Sequence, residues 1–183
     1  MLQVTDVSLR FGDRKLFEDV NIKFTEGNCY GLIGANGAGK TTFFRMLVGD
    51  LPPTKGNAYF GGVNLNESLS RFQSQIGYCP QFDALIDILT GVEILYLYAR
   101  LRGMPEKDIP NQVDNLIYMV DLKKYANKTI ETYSGGNKRK LSLAIALIGL
   151  PPLLLLDEPT SGIDPLSRRK IWHVLSQIKE TKE

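Results

Sequence analysis

The segment GANGAGKT, residues 34–41, sets three glycines in front of a lysine and a threonine. Glycine adopts backbone conformations that other residues avoid, and it lets backbone N–H groups approach a ligand closely. The apolar segment CYGLIG, residues 29–34, predicts a strand before it, and residues 41–48 predict a helix that Gly49 ends. A strand, a GxxxxGK[ST] loop and a helix in this order predict a phosphate-binding loop.

This loop offers three kinds of phosphate ligand. Its backbone N–H groups and the positive end of the helix dipole attract phosphate oxygens. Lys40 is placed to reach the β and γ phosphates of a nucleoside triphosphate, and Thr41 can offer its hydroxyl to Mg²⁺. The alternative is a glycine-rich turn that binds nothing, but the fit of the motif and of both flanking elements disfavours it.

A second candidate site follows the apolar run in LLLLDE, residues 153–158. Four leucines predict a buried strand, and open parallel sheets bind ligands at the carboxyl ends of their strands. Asp157 is therefore a candidate Mg²⁺ ligand, directly or through water, and Glu158 could polarise an attacking water. An ordinary strand-to-loop junction would have the same sequence, but its place after a phosphate loop favours the functional interpretation.

A third segment, TYSGGNKRK at residues 132–140, sets a serine and two glycines before another predicted helix. It repeats the anion-binding features of the first loop, and it could contact a nucleotide that a second chain holds. The alternative is a helix capped by Ser134 and followed by flexible glycines. Lys138 to Lys140, the one dense basic run, predicts a solvated helix face.

The rest of the pattern predicts a mixed α/β chain. Thr90 and Glu93 form a capping-box pattern, and residues 84–132 are predicted to be mostly helical with Pro110 as an interruption. Asp164 and Pro165 predict the start of the last helix. Strands are predicted at residues 2–9, 16–24, 57–60, 75–80 and 153–156, the first two as an antiparallel pair.

Charge, hydropathy and cysteine content restrict the function classes. A net charge of +2 over 183 residues, with a pI near 8.5, is too mild to predict a nucleic-acid surface. The longest apolar stretch, residues 141–156, is broken by Pro151 and falls short of the roughly 20 residues that a membrane span needs. Cys29 and Cys79 lack metal-ligand spacing, so we expect free, buried thiols.

Together these motifs resemble those of an ATP-binding cassette (ABC) nucleotide-binding domain. The phosphate loop, Gln81, YSGGN, LLLLDEP and SGID occur in that family's order, and the resemblance covers about residues 2–180. YCPQFDAL (78–85) and LLLLDEPTSGIDP (153–165) resemble more particularly the A subfamily of ABC transporters, whose members mostly move lipids and sterols.

This resemblance implies the fold. It is an α/β fold with a P-loop NTPase (RecA-like) core, an N-terminal antiparallel β subdomain and an inserted α-helical subdomain. Residues 1–183 would form a single ABC ATP-binding domain fragment. Its core and β subdomain would span about residues 1–83 and 149–183, and its helical subdomain, with the signature loop, about 84–148.

The resemblance also implies a role for each motif. Glu158 would be the general base, with Lys40 and Gln81 as further catalytic residues, and Thr41, Gln81 and Asp157 would hold Mg²⁺. Phe11 matches the aromatic residue, often tyrosine, that stacks on adenine. The ATP-binding residues implied are Phe11, Gly34, Asn36, Gly37, Ala38, Gly39, Lys40, Thr41 and Thr42, and, from the opposite protomer, Ser134, Gly135, Gly136 and Asp164.

In the family, two such domains close head to tail around two ATP molecules, each with Mg²⁺. The resemblance therefore implies a second nucleotide-binding domain as partner, and the net charge of +2 predicts no nucleic-acid partner. The segment Phe82–Leu89 would face the transmembrane domains of the transporter. The chain itself would lie at the cytoplasmic face of a membrane, as part of a multi-pass membrane protein.

Two features depart from the family pattern. Tyr133 and Asn137 stand where leucine and glutamine are common, as they often do in the A subfamily. His173 lies in the last predicted helix and cannot be the family's switch histidine, which follows one more core strand. We therefore expect a fragment of a longer transporter that ends before that strand.

Three alternatives stay open. A soluble ABC ATPase acting on translation or DNA is disfavoured by the low charge. A regulatory site that binds ATP without turnover is disfavoured for the intact protein by Glu158, Gln81 and Ser134, but it fits a fragment without the switch histidine. A GTPase would need an Asn-Lys-x-Asp motif, and residues 137–140 lack the aspartate.

Overall fold

The computed structural model describes residues 1–180 of the chain. They form two compact units, Met1–Ile76 and the residues from Gly77 onward. The predicted division into a core and a helical subdomain remains a prediction.

The first unit is built on a four-stranded antiparallel sheet in the order β2-β1-β3-β4. β1 carries the main apolar face, because Leu2, Val4, Val7 and Leu9 are all buried. The predicted opening strand pair is confirmed, with Leu2 opposite Phe24. The elements of this unit are β1 (Leu2–Phe11), β2 (Arg14–Phe24), α1 (Lys40–Leu47), β3 (Lys55–Phe60), β4 (Val63–Asn64) and α2 (Leu69–Gln73).

The strand predicted at residues 29–34 is wrong: this part of the described chain has no regular secondary structure. The side chain of Ile33 is 99% exposed, and Tyr30 and Leu32 are also exposed. An apolar run becomes a strand only where a neighbouring strand takes its backbone hydrogen bonds. Among the described residues, the sheet of this unit consists of β1 to β4 alone, so the segment has no strand to pair with there.

The second unit contains a two-stranded sheet and four α-helices among its described residues. Its elements are β5 (Ile76–Cys79), α3 (Gly91–Leu101), α4 (Ile109–Met119), a 3₁₀ turn (Ile130–Thr132), α5 (Gly135–Ala146), β6 (Leu153–Leu156) and α6 (Pro165–Glu180). At the ends of the two paired strands, the Asp157 N–H donates to the Cys79 carbonyl oxygen at 2.9 Å.

Helix starts in this unit follow from their cap residues. The capping box of α3 is confirmed, since the Glu93 N–H donates to Thr90 Oγ1 and the Thr90 N–H to Glu93 Oε2. Pro110, predicted to interrupt a helix, instead lies in the first turn of α4. The prediction was wrong because a first-turn N–H has no intrahelical acceptor, so proline loses no bond there.

α5 lies in the middle of the second unit's core. Leu141, Leu143, Ala144 and Ala146 are buried, so this helix is covered on nearly all sides. The long apolar stretch is thus a buried helix and a short strand, as predicted. No helix among the described residues is long and apolar enough to cross a membrane. Further core residues of this unit are Ile94, Leu95, Ile109, Leu116, Leu122 and Ile130.

Candidate functional site

The glycine loop of the first unit owes its path to two glycines. Gly37 and Gly39 have φ angles of 81° and 91°, a left-handed conformation that side chains disfavour. Gly39 directly precedes α1, and no side chain within residues 1–180 caps that helix. The first helical bond runs from the Phe43 N–H to the Gly39 carbonyl at 2.8 Å.

Lys40 lies across this loop. Its Nζ donates to the carbonyl oxygens of Gly34 at 2.7 Å and Ala35 at 3.0 Å. Both acceptors belong to the loop itself, so the ammonium lies within the candidate phosphate site. The predicted phosphate-loop residues, Gly34 to Thr42, thus lie on one loop and helix start, and residues 34–38 are exposed.

Phe11, the predicted adenine-stacking residue, belongs to the same unit. It is the last residue of β1, pairs with Arg14 across the hairpin and is 53% exposed. An exposed aromatic ring on a rigid strand end is available for stacking.

Asp157 and Glu158 follow β6 in the second unit and differ in environment. Asp157 is buried, and its Oδ2 atom has no hydrogen-bond partner among the described residues. A buried carboxylate oxygen without a partner is costly, so its position fits a cation ligand. Glu158 is exposed and has a φ angle of 50°, which is rare for a residue with a side chain.

The signature loop implied by the family resemblance is Tyr133 to Asn137, called the signature segment below. Its serine and glycines start α5, the signature helix. Ser134 caps the helix by accepting from the Asn137 N–H at 3.3 Å, as predicted. Gly135 and Gly136 lie in the first turn, and a Cβ on either would meet nothing within 4 Å in the part of the chain that the structure describes. This surface of the second unit is open to an approaching group.

Tyr133, the departure from the family pattern, anchors the signature segment to its own unit. It is buried, and its hydroxyl donates to the Tyr125 carbonyl oxygen at 2.7 Å. Burial raises the pKa of this hydroxyl. A Cβ on Gly91 would lie 2.4 Å from the same hydroxyl oxygen, so the larger tyrosine requires a glycine at the start of α3.

The basic run at residues 138–140 is the part of the site whose burial differs most from its prediction. Arg139 is only 3% exposed and Lys140 is buried as well, so the predicted solvated face is wrong. The reason is that the run belongs to the start of α5, a helix that the core surrounds. An apolar helix body immediately after the run is the sequence signal that could have indicated this burial.

Arg139 donates hydrogen bonds to backbone carbonyl oxygens of two other predicted motifs. Its guanidinium donates to five groups: the carbonyl oxygens of Pro80, Gln81, Asp157 and Glu158, and the carboxylate of Asp83. The structure therefore brings the backbones of Gln81, Asp157 and Glu158 together within the second unit. No functional role for Arg139 was predicted from the sequence.

Asp164 caps α6. Its Oδ1 accepts from the Ser167 N–H at 2.9 Å and the Leu166 N–H at 3.1 Å. Hydrogen bonds from Ser167, through its side chain first and then its backbone, lower the pKa of this carboxyl group. The segment after Gln81 exposes apolar side chains, since Phe82 is 81% and Ile88 79% exposed.

One cysteine differs from its prediction. Cys79, at the end of β5, is a buried free thiol, and burial raises its pKa to about 11. Cys29 is also free but exposed, because the segment around it forms no strand.

A glycine loop leading into a helix, a buried aspartate at a strand end and an exposed glutamate beside it define a phosphate-loop nucleotide-binding domain. Residues 17–161 match the sequence model of the family described as ABC transporter. The chain belongs to the ABC transporter family. The resemblance inferred from the motifs is confirmed.

Several similar curated proteins are named as members of the A subfamily. The chain is 48% identical over 162 residues to the phospholipid-transporting ATPase ABCA3 of Rattus norvegicus, covering 88% of this chain and 10% of that protein. It is 56% identical over 152 residues to the retinal-specific phospholipid-transporting ATPase ABCA4 of Mus musculus, covering 83% and 7%. The chain thus spans at most a tenth of the length of these relatives.

Solved structures confirm the predicted fold class. An ATP-binding subunit of an ABC transporter matches with a TM-score of 0.90 and 29% identity, over 98% of this chain and 75% of that one. The ATP-binding cassette MJ0796, in a dimeric post-hydrolysis state bound to ADP and Pi, matches with a TM-score of 0.90 and 25% identity, over 100% and 84%.

Proposed function

We propose that this chain binds and hydrolyses ATP and that it powers lipid movement by an ABC transporter, working in a head-to-tail pair of such domains. The observation that carries the proposal is the pair at the end of β6: a buried, unpartnered Asp157 oxygen beside an exposed Glu158. The relatives named as phospholipid-transporting ATPases support the choice of lipid.

The first unit supplies the nucleotide contacts. The Lys40 ammonium leaves the Gly34 and Ala35 carbonyls and binds the β and γ phosphates. Phe11 stacks on the adenine ring. The backbone contacts to phosphate come from Gly34, Asn36, Gly37, Ala38, Gly39, Lys40, Thr41 and Thr42.

Asp157 is the proposed Mg²⁺ ligand best supported by its environment. A divalent cation would satisfy its buried Oδ2, directly or through a bound water. From the family resemblance, the Thr41 hydroxyl and the Gln81 side chain are proposed as further ligands. When bound, Mg²⁺ offsets the negative charge that develops on the phosphate oxygens.

Glu158 is the proposed general base. Its exposed carboxylate orients a water whose oxygen forms a bond to the γ-phosphorus, while the bond to the β–γ bridging oxygen breaks. The carboxylate takes the proton from the water, and ADP and phosphate leave. Lys40 offsets charge on the phosphate oxygens, and Gln81 helps to place the water.

Pairing places the signature segment against the nucleotide of the partner domain. The open surface at Ser134, Gly135 and Gly136 supports this contact, because a phosphate could approach these backbone groups without a steric barrier. Asp164 would report across the same pair. The dimeric state of the solved cassette supports pairing.

A transmembrane domain is the second proposed partner. The exposed apolar side chains of Phe82, Ile86 and Ile88 in the segment Phe82–Leu89 fit a protein contact of this kind. Such a contact would hold the chain at the cytoplasmic face of a membrane, as part of a multi-pass protein.

The base role of Glu158 is tested by Glu158→Gln in the purified chain. The amide keeps the shape but not the proton acceptor, so ATP binding persists while turnover falls by about 10²–10⁴-fold. Glu106→Gln, an exposed glutamate of the same unit paired with Arg100, is the matched control. Normal turnover in Glu158→Gln would contradict the assignment.

The dependence of turnover on chain concentration separates this function from an ATP-binding regulatory site. In a composite site formed by two chains, the MgATP hydrolysis rate per chain rises with concentration, and Lys40→Ala abolishes it. ATP binding without turnover at every concentration would favour the regulatory alternative instead.

A further inference from the structure

Arg139 is the fifth residue of α5 and is 3% exposed, although arginine is rarely buried without well-placed partners. Four of its five acceptors are backbone carbonyls and only Asp83 is charged. A simple ion pair would need none of those carbonyls. The planar guanidinium, with donors in a fixed fork, suits such a set of acceptors.

The two terminal nitrogens serve two different segments. Nη1 donates to Pro80, to Gln81 at 3.4 Å and to the Asp83 carboxylate at 3.3 Å. Nη2 donates to Asp157 and, at 2.7 Å, to the Glu158 carbonyl. One side chain of the signature helix thus fixes the backbone around Gln81 relative to the backbone around Glu158.

The backbone of Glu158 needs such support. Its φ angle of 50° is unfavourable for a residue with a Cβ, and it persists only where surrounding contacts hold it. The Glu158 carbonyl is one of the groups that Arg139 holds. The direction in which the Glu158 side chain points depends on this backbone conformation.

We propose that Arg139 is a positioning residue for hydrolysis: its guanidinium holds Glu158 and Gln81 in the arrangement that hydrolysis needs. Arg139 does not itself touch the substrate in this scheme. The proposal rests on the proposed function, since it assigns Arg139 to the reaction in which Glu158 is the base. It also ties the signature helix to the acidic pair, so a shift of α5 would displace the base.

A kinetic double-mutant cycle tests the proposal. Arg139→Met should lower kcat by about 10–100-fold while KM and ATP affinity stay within about twofold. Arg139→Lys, which keeps the charge but loses the planar fork of donors, should lower kcat about 10-fold. This variant keeps the experiment decisive if the methionine variant does not fold. In Glu158→Gln, adding Arg139→Met should lower single-turnover hydrolysis clearly less than it does in the parent chain, because only the contribution through Gln81 remains.

Lys138→Met is the matched control, because Lys138 is the neighbouring cation and pairs with Asp87 at 2.7 Å. It should leave kcat within about twofold of the parent chain, since it makes no contact with the Glu158 backbone. An equal fold-loss of hydrolysis when Arg139→Met is added to the parent chain and to Glu158→Gln would overturn the proposal. So would an equal loss in Lys138→Met and Arg139→Met.

Hydrogen exchange supplies a readout that needs no turnover. In Arg139→Met, the amides of Asp157 and Ser161, which donate to Cys79 and Glu158, should exchange at least about 10-fold faster. The amides of α3 and α4 should not change. Unchanged exchange at residues 157–161, or a uniform rise across the unit, would overturn the proposal. Absence of turnover in the parent chain would overturn the proposed function separately, and this exchange measurement would still decide whether Arg139 holds the segment.

Discussion

Two glycine-bearing segments of this chain lead into helices, and they are built differently. The loop before α1 has glycines with left-handed φ angles, no side-chain cap and an exposed backbone. The segment before α5 has a serine cap, and its glycines lie within the helix. Tyr133, before these glycines, and Arg139, after them, are buried and hydrogen-bonded to other parts of the second unit.

The difference separates two reasons for using glycine. In the loop before α1, Gly37 and Gly39 give the chain a path that a side chain would strain. Gly135 and Gly136 follow ordinary helical geometry with open space beside them, so no contact among the described residues requires a glycine there. What they provide is access to the backbone for a group from outside the chain, which supports the proposed contact with a partner's nucleotide.

Thiol labelling should show the largest difference, because one cysteine lies near the exposed loop before α1 and the other is buried in the second unit. Cys29 is exposed before the first loop, whereas the pKa of buried Cys79 is raised to about 11 from an ordinary value of 9.0. At pH 8 a thiol reagent should label Cys29 at least about 100-fold faster. Equal rates in the native chain would contradict the structure, and equal rates in denaturant are the control.

The same raised pKa gives a pH dependence with a definite sign. The folded chain keeps the Cys79 proton to higher pH than the unfolded chain does. The contribution of Cys79 to the free energy of unfolding is therefore complete below about pH 9. It is lost as the pH rises through about 11. Urea unfolding at increasing pH should show this loss in Cys29→Ser but less of it in Cys79→Ala.

The two lysines that follow the two glycine segments should differ in their effect on nucleotide affinity. Lys40→Ala should raise the Kd of a fluorescent ATP analogue about 10–100-fold, because it removes a charge-assisted contact to phosphate. Lys138→Ala should leave the Kd within about twofold at low chain concentration, since Lys138 pairs with Asp87. Equal effects would remove the distinction between the two segments.

Alanine substitution should separate the two uses of glycine by sign. Gly39→Ala should destabilise the chain by about 1–2 kcal/mol, because alanine disfavours a φ angle of 91°. Gly136→Ala should stabilise it by up to about 1 kcal/mol, because the site is helical and open. Urea unfolding measures both. Destabilisation by Gly136→Ala would show that the glycine serves the fold and not a partner.

Removing the serine cap should have the smallest effect. Ser134→Ala should destabilise the chain by about 0.5–1 kcal/mol, because the Asn137 N–H loses its acceptor at 3.3 Å. Asp164→Ala, which removes a cap with two such bonds at the start of α6, is the comparison variant and should cost more in the same unfolding assay. A Ser134→Ala chain as stable as its parent would show that α5 is held by its packing alone.

The features predictable from the sequence are those whose causes lie within a few residues. The caps at Thr90, Ser134 and Asp164 were predicted correctly because each accepts a backbone N–H two or three positions away. The glycine loop was located by its spacing, and the order of the motifs was specific enough to indicate the family.

The features that the sequence alone did not determine depend on distant partners. Arg139 finds its acceptors 56 to 59 positions earlier and 18 to 19 positions later, so no local pattern identifies its partners. Residues 29–34 have the composition of a strand but no partner strand within their unit. Local hydrogen bonds and backbone sterics act along the chain, whereas burial, strand pairing and the environment of a buried charge arise only when separate segments pack together.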